Sequence, residues 1–253
     1  MGISDVAAGG FEAGAEAYEQ ARPSYPPDVV EWLGEHLGLD AGGRLLDLAA
    51  GTGKLTRLLE RPGLEVVAVE PVAAMRTQLA RACPGVEVLD GTAEAIPLPD
   101  GSVDVVTVAQ AFHWFDPAVA LAEIARVLAP GGSLGIVFNE RDARVPWVAE
   151  LSKIIRWDER ERWRVPYTVE VDWAGVIAEH GPQFEPAQRY DSTFDQPMDA
   201  DLLVARVLST SYIALLTADE QDALAVRVRA LADTLGPTFV LPYVTNAYTA
   251  RLR

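Results

Sequence analysis

Between Arg44 and Phe138, short apolar runs rich in β-branched residues alternate with longer segments of helical periodicity. Runs that stay apolar instead of alternating with polar residues suit strands covered on both faces, and strands separated by helices imply parallel pairing through crossovers. Strands are predicted over 44–49, 65–70, 86–90, 103–110 and 133–138. Ahead of the last of these, Leu121, Ile124, Ala125 and Leu128 recur at helical spacing, and Pro130-Gly131-Gly132 supplies the break that ends the helix.

The alternation stops after Asn139. Residues 140–182 hold four of the six tryptophans, Trp147, Trp157, Trp163 and Trp173. Trp147, Leu151, Ile154 and Ile155 make one apolar helical face, which fits either a helix packed on the sheet or a cap over a substrate. A β-rich stretch over 187–194 follows. Helices come next near 199–213 and 219–235, the second burying Leu224, Val228, Leu231 and Leu235, and a final strand spans 244–252. With neither repeats nor a low-complexity linker, one domain is the economical reading. Its parts are an N-terminal segment (1–43), a strand–helix half (44–139), an inserted helical segment (140–182) and the last strands with their helices (183–253).

At 253 residues the chain is long enough for a core without disulfide or metal staples. The single cysteine, Cys83, suits a reducing compartment, and the first twenty residues carry acids and glycines where a secretory signal needs a basic and then an apolar stretch. A cytoplasmic protein is expected. No run approaches the roughly 18 apolar residues of a membrane helix. A formal net charge of −16 opposes binding to a phosphate backbone, so a nucleic-acid partner is not expected. No Cys/His cluster has zinc spacing, and the scattered carboxylates form no recognisable metal site.

The most informative segment is LLDLAAGTGKLTRLL, residues 45–59: an acid at the end of a buried strand, two glycines in a tight turn, then an amphipathic helix. Gly51 and Gly53 permit positive φ and close approach to a ligand, and the helix start is expected to present unpaired N–H groups. A phosphate-cradling P-loop fails, because Leu48 stands where its first glycine belongs and Leu55 follows Lys54. A dinucleotide fingerprint is weak, because Thr56 takes the place of its third glycine. What remains is D-x-A-x-G-x-G from Asp47 to Gly53, with Glu70 ending the next strand, where an acid can accept the two hydroxyls of a ribose.

Taken together, LLDLAAGTGKLT, VVAVEP, DGTAEAIPLPDGSVDVV, AQAFHWFD and EIARVLAPGG resemble class I S-adenosylmethionine-dependent methyltransferases, in the small-molecule branch that includes trans-aconitate-type and biotin-pathway enzymes. The resemblance runs from about Tyr18 to Phe138. It implies an α/β fold with a Rossmann-like, seven-stranded, mostly parallel sheet, helices on both faces, an N-terminal lid and an inserted helical cap. It further implies S-adenosyl-L-methionine as cofactor, S-adenosyl-L-homocysteine as product and a small-molecule acceptor, in a monomer or homodimer. Asp47, Ala49, Gly51 and Gly53 would line the methionine half of the cofactor, with Glu70 on the ribose, Pro71 and Met75 beside the adenosine, and Thr92 and Ala93 at the adenine edge. Gln110 would close the site at the end of the fourth strand. Ala49 replaces the family's usual glycine and Thr92 its usual aspartate, leaving the adenine amine to the Thr92 hydroxyl, a water or Glu94.

YEQARPSYP, residues 18–26, resembles the lid of this branch, with Tyr18, Arg22 and Tyr25 as its candidates and Arg22 as the partner of a methionyl carboxylate. The alternative is an ordinary turn. His113, in the turn after the fourth strand, is the candidate catalytic base for a hydroxyl or amine acceptor; it could equally shape the pocket or bond Asp116, and a carboxylate acceptor would need no base. Arg141, Arg144, Arg156, Arg160, Arg162 and Arg164, interleaved with tryptophans, form either a cap that stacks on a planar acid or a solvated helix balanced by Asp158, Glu159 and Glu161. The expected activity is O-, N- or C-methylation of a small metabolite, with aromatic and carboxylic acceptors as the candidates. The alternatives are non-methylating chemistry on the same cofactor, such as cyclisation or hydrolysis, and a non-catalytic partner subunit.

Overall fold

In the central strands, neighbouring side chains belong to opposite cores. Leu46, Leu48, Val67, Val69, Val106 and Val108 point into one cluster, while Leu45, Val66, Val105 and Val137 point into another. This period of two with both faces apolar is what a sheet sandwiched between helices requires. The computed structural model describes residues 19–156, 171–214 and 216–253. Its strands are β1 (Gly43–Leu48), β2 (Leu64–Val69), β3 (Glu87–Leu89), β4 (Val103–Ala109), β5 (Leu128–Arg141), β6 (Gln188–Met198) and β7 (Phe239–Arg251). They form one sheet in the order β3-β2-β1-β4-β5-β7-β6. The first five strands are parallel, and β7 runs antiparallel to both β5 and β6. The order reverses between β1 and β4, which opens a crevice at the carboxyl ends of those two strands.

Helix α1 (Pro27–Leu37) covers one face with Val29, Leu33 and Leu37. After β1 comes a short α2 (Thr56–Leu59), and α3 (Ala73–Ala82) follows β2. On the other face lie α4 (Pro117–Val127) and, beyond α5 (Pro146–Ile154), α6 (Trp173–His180). The start of α4 is set by Asp116, whose carboxylate accepts from the amides of Ala118 and Val119 at 3.2 and 3.3 Å, and by proline at the first helical position. Helices α5, α7 (Ala200–Leu208) and α8 (Ala218–Asp233) build a further core with the Leu241 and Tyr243 end of β7. Among the described residues, no helix is long and apolar enough to cross a membrane.

The structure corrects several boundaries. Pro130-Gly131-Gly132 does not separate helix from strand: β5 starts at Leu128 and carries these residues as an irregularity where its register against β4 shifts. β7 begins at Phe239 instead of 244, β6 continues to Met198 instead of Phe194, and α7 ends at Leu208 instead of 213. Trp173 lies in the core, stacked on Phe138 with ring centroids 5.0 Å apart. Val148, Leu151 and Ile155 anchor α5, with Trp147 and Ile154 packed at the edge of the same cluster. The expectations for Trp157, Trp163, Arg160, Arg162 and Arg164 fall outside the described residues, as does that for Tyr18.

The β5 irregularity has a steric basis. A Cβ on Gly132 would lie 2.8 Å from the Asp104 carbonyl oxygen and 2.9 Å from that of Ala129, both backbone atoms. Gly132→Ala is therefore expected to destabilise the fold by about 1–3 kcal/mol, the ordinary cost of overpacking, as measured by urea unfolding.

Candidate active site

The loop after β1 is held by two buried carboxylates. Asp47, fully enclosed at the end of β1, accepts from the Thr56 hydroxyl at 2.5 Å and the Thr107 hydroxyl at 3.0 Å, which ties α2 and β4 to β1. Glu70, 3% exposed beyond β2, accepts from the Gly51 amide at 2.9 Å and the Val72 amide at 2.8 Å. Both side chains are pushed up to about pKa 6, chiefly because burial strips their hydration. Asp47 thus braces the loop from behind, and each Glu70 oxygen, although engaged, keeps a second lone pair.

The loop's backbone is left-handed at Ala49 (φ 54°), Gly51 (φ 59°) and Gly53 (φ 82°). A Cβ on Gly53 would come within 3.1 Å of Cys83 Sγ and 3.2 Å of Leu79 Cγ, so glycine there also permits the packing of α3. The expected amphipathic helix is reduced to the four residues of α2, entered through hydrogen-bonded turns. The Gly51 amide, ahead of this helix, is engaged by Glu70.

Residues 19–26 cross the mouth of the crevice. Glu19 accepts from Thr52, from Arg57 at 2.8 Å and, through its carbonyl, from Lys54 at 2.6 Å. Arg22 donates to the hydroxyl and the carbonyl of Ser209 at 3.3 and 3.0 Å, and Asn139 donates to the Ser24 carbonyl at 3.0 Å. Beneath this strap lies a cavity lined by Arg22, Tyr25, the loop from Ala49 to Thr52, Lys54, Gln110, Asn139 and Arg206, among others. Gln110 directly follows β4 with a left-handed φ of 58° and donates through its side chain to the Asn139 carbonyl at 3.2 Å.

Of the residues singled out in the sequence, Arg22, Tyr25, Ala49, Gly51 and Gln110 therefore meet at one cavity. Glu70 and Pro71 follow the end of β2 and Met75 lies in α3, with Met75 Sδ 3.8 Å from where a Gly51 Cβ would sit. Thr92 bridges to Ala95 and Ala93 is buried, while Glu94 is engaged, accepting from the Asp116 amide at 3.1 Å. Asp47 and Gly53 lie behind the cavity wall.

His113 does not line this cavity. It occupies a 3₁₀ turn, Phe112–Trp114, against Trp114 and Phe138, with its Nδ1 enclosed and without a hydrogen-bond partner. Burial, with the Arg22 charge adding to it, holds its pKa at about 3. The sequence reading missed Lys54, Asn139 and Arg206. Arg206 carried a signal, since it falls on the same helical stripe as the buried Leu203 and Val207.

A sheet with this strand order, a glycine loop after β1 and an acid after β2 defines a class I nucleotide-type fold. A family model for a methyltransferase domain matches residues 46–136. An uncharacterized methyltransferase of Mycobacterium tuberculosis is 43% identical over 253 residues, covering 96% of this chain and 95% of that protein. A methyltransferase-like protein of Schizosaccharomyces pombe is 36% identical over 226 residues, covering 89% and 86%. Among solved structures, the YcgJ protein of Bacillus subtilis matches at a TM-score of 0.58 and 20% identity, covering 89% of this chain and 98% of that one. The geranyl diphosphate C-methyltransferase of Streptomyces coelicolor matches at 0.51 and 17%, covering 88% and 78%. At these identities the structural likeness is one of fold. The chain belongs to the methyltransferase family, and it is a class I S-adenosylmethionine-dependent enzyme.

Two outcomes follow from the strain and the buried charges. Ala49→Gly removes a left-handed alanine and is expected to raise stability by about 1 kcal/mol, read as a higher urea midpoint. His113 has a folded pKa of about 3 against an ordinary 6.5, so as pH falls through 6.5 the unfolded chain takes up the proton first and the fold is weakened. Asp47 and Glu70 act oppositely, because their raised pKa values favour the folded state as pH falls through about 6. Between pH 7.5 and 5, wild type should therefore lose up to about 2 kcal/mol relative to His113→Gln, as measured by urea unfolding at both pH values.

Proposed function

We propose that the enzyme methylates a small-molecule acceptor held at the carboxyl ends of β4 and β5, beside the loop that binds the cofactor. The observation that carries this reading is the cavity itself: one space joins the loop after β1, Gln110 and the strap over residues 19–26. The bound cofactor supplies an electrophilic methyl on a sulfonium. The residues fit such a group. Left-handed backbone at Ala49 and Gly51 leaves room for close approach, Arg22 offers a guanidinium for a carboxylate, and the spare lone pairs of Glu70 suit ribose hydroxyls. Pro71 and Met75 would flank the adenosine, with Thr92 and Ala93 at the adenine edge.

Although it does not line the cavity, His113, in the turn beyond the end of β4, is assigned to the acceptor side. Because burial keeps it neutral through the physiological range, it accepts a hydrogen bond but is too weakly basic to hold an abstracted proton alone. This favours acceptors whose attacking atom is already ionised or carries no acidic proton. The strap, tied down at Glu19, Arg22 and Ser24, makes the entrance narrow, and the net charge of −16 disfavours a nucleic-acid acceptor.

Incubation with methyl-labelled cofactor and a panel of small acids, phenols and amines should give S-adenosylhomocysteine together with one labelled small product; label only in protein or RNA would contradict the reading. With that acceptor, His113→Ala should lower kcat by about tenfold, the scale of one lost hydrogen bond, with cofactor affinity unchanged. Unchanged turnover would remove His113 from the mechanism.

A further inference from the structure

Arg206 is the least compensated charge facing the cavity. It belongs to α7, is 6% exposed, and lines the cavity together with Arg22. Its Nε donates to the Tyr243 hydroxyl at 2.9 Å, but its enclosed Nη1 has no partner. Among the described residues, no carboxylate lies within ion-pair distance of Arg206. A second guanidinium, Arg141 at the end of β5, is held below its ordinary range by burial and by the nearby charge of Arg206, with Tyr243, Tyr212 and Glu140 acting the other way. Arg206, an interior cation with an unused donor beside the cavity, is a positive site in a protein of net charge −16. A buried charge without a partner is costly, and the arrangement is consistent with a site completed by an anion.

Resting on the methyltransferase reading above, we propose that Arg206, backed by Arg141, binds an oxyanion of the methyl acceptor, a carboxylate or a phosphate. The acceptor is then an anionic metabolite, oriented by a guanidinium fork whose geometry matches paired oxygens. Position separates this role from that of Arg22. Arg206 reaches the cavity from the α7 and β7 wall, where Tyr243 fixes it, whereas the loop between Ala49 and Thr52 comes from β1 on the other side. Gln110 and Asn139, at the ends of β4 and β5, complete the lining between these two walls.

The test uses the full chain saturated with S-adenosylhomocysteine. Thermal unfolding is followed against acetate, benzoate and inorganic phosphate at constant ionic strength, with acetamide and benzamide as neutral counterparts. At least one anion should raise Tm by about 3 °C at tenfold its half-saturating concentration, with the neutral counterparts inert. Benzoate or acetate alone would mark a carboxylate site, and phosphate alone a phosphate site. Arg206→Gln should abolish the response while calorimetry shows S-adenosylhomocysteine affinity unchanged. Arg206→Lys, which keeps the charge but loses the fork, should fold even if the glutamine variant does not, and should raise the half-saturating concentration about fivefold or more. A response to none of the anions, an equal response to the neutral compounds, or an anion response unaltered in both variants would overturn the proposal. So would a tenfold or greater loss of S-adenosylhomocysteine affinity in either variant, which would assign Arg206 to the cofactor. Failure of wild type to bind S-adenosylhomocysteine would instead remove the methyltransferase reading, and the anion titrations repeated without it would still decide what Arg206 does.

Discussion

The carboxylate of Glu70 bridges two backbone amides, one in the loop after β1 and one at the entry to α3. Almost everything at the site depends on this bridge. It ties the loop after β1 to the end of the neighbouring β2, next to the reversal of strand order between β1 and β4, and it does so from a position 3% exposed, where a hydrogen bond to an ionised group is strong and its loss costly. Asp47 performs the matching task one strand over, holding β1 to Thr56 and Thr107. Two buried acids, each kept ionised against its burial by donors, thus set the backbone that a cofactor would meet.

That backbone is strained where it faces the cavity. Ala49 and Gln110 are both left-handed without being glycine, and they directly follow β1 and β4, the adjacent strands that flank the crevice. Such conformations persist where surrounding contacts over-determine them. Here the contacts are visible: the Gln110 amide donates to the Val137 carbonyl at 2.9 Å, the Ala50 amide donates to the Val69 carbonyl at 3.2 Å, and the strap of residues 19–26 closes over the top. The hydrogen-bonded floor and the tied strap together hold the walls of the cavity in place.

Much of this was legible in the sequence. The five parallel strands announce themselves because burial on both faces makes them uniformly apolar, and D-x-A-x-G-x-G followed by an acid reads as chemistry because few other folds need that order. The failures have physical causes. β7 starts five residues early because Phe239 to Tyr243 mix apolar and turn-like residues, including Pro242, yet pair with β6 along its whole length. Pro130-Gly131-Gly132 looked like an end because its composition breaks helices, and a strand with a register shift tolerates the same residues. Arg206, Asn139 and Lys54 reach the cavity through tertiary packing alone, from α7, β5 and the turn before α2, and no local spacing relates them. The motif makes Asp47 look like a ligand contact, but its place behind the loop depends on Thr107, sixty residues away.

The account rests on Glu70 as the brace of a cofactor site, and calorimetric binding of S-adenosylhomocysteine to wild type and Glu70→Gln tests it most directly. Wild type should bind, and the variant, with an amide nitrogen set against a backbone donor, should bind about 10–150-fold more weakly while retaining its fold by circular dichroism. A folded variant with wild-type affinity would contradict the account.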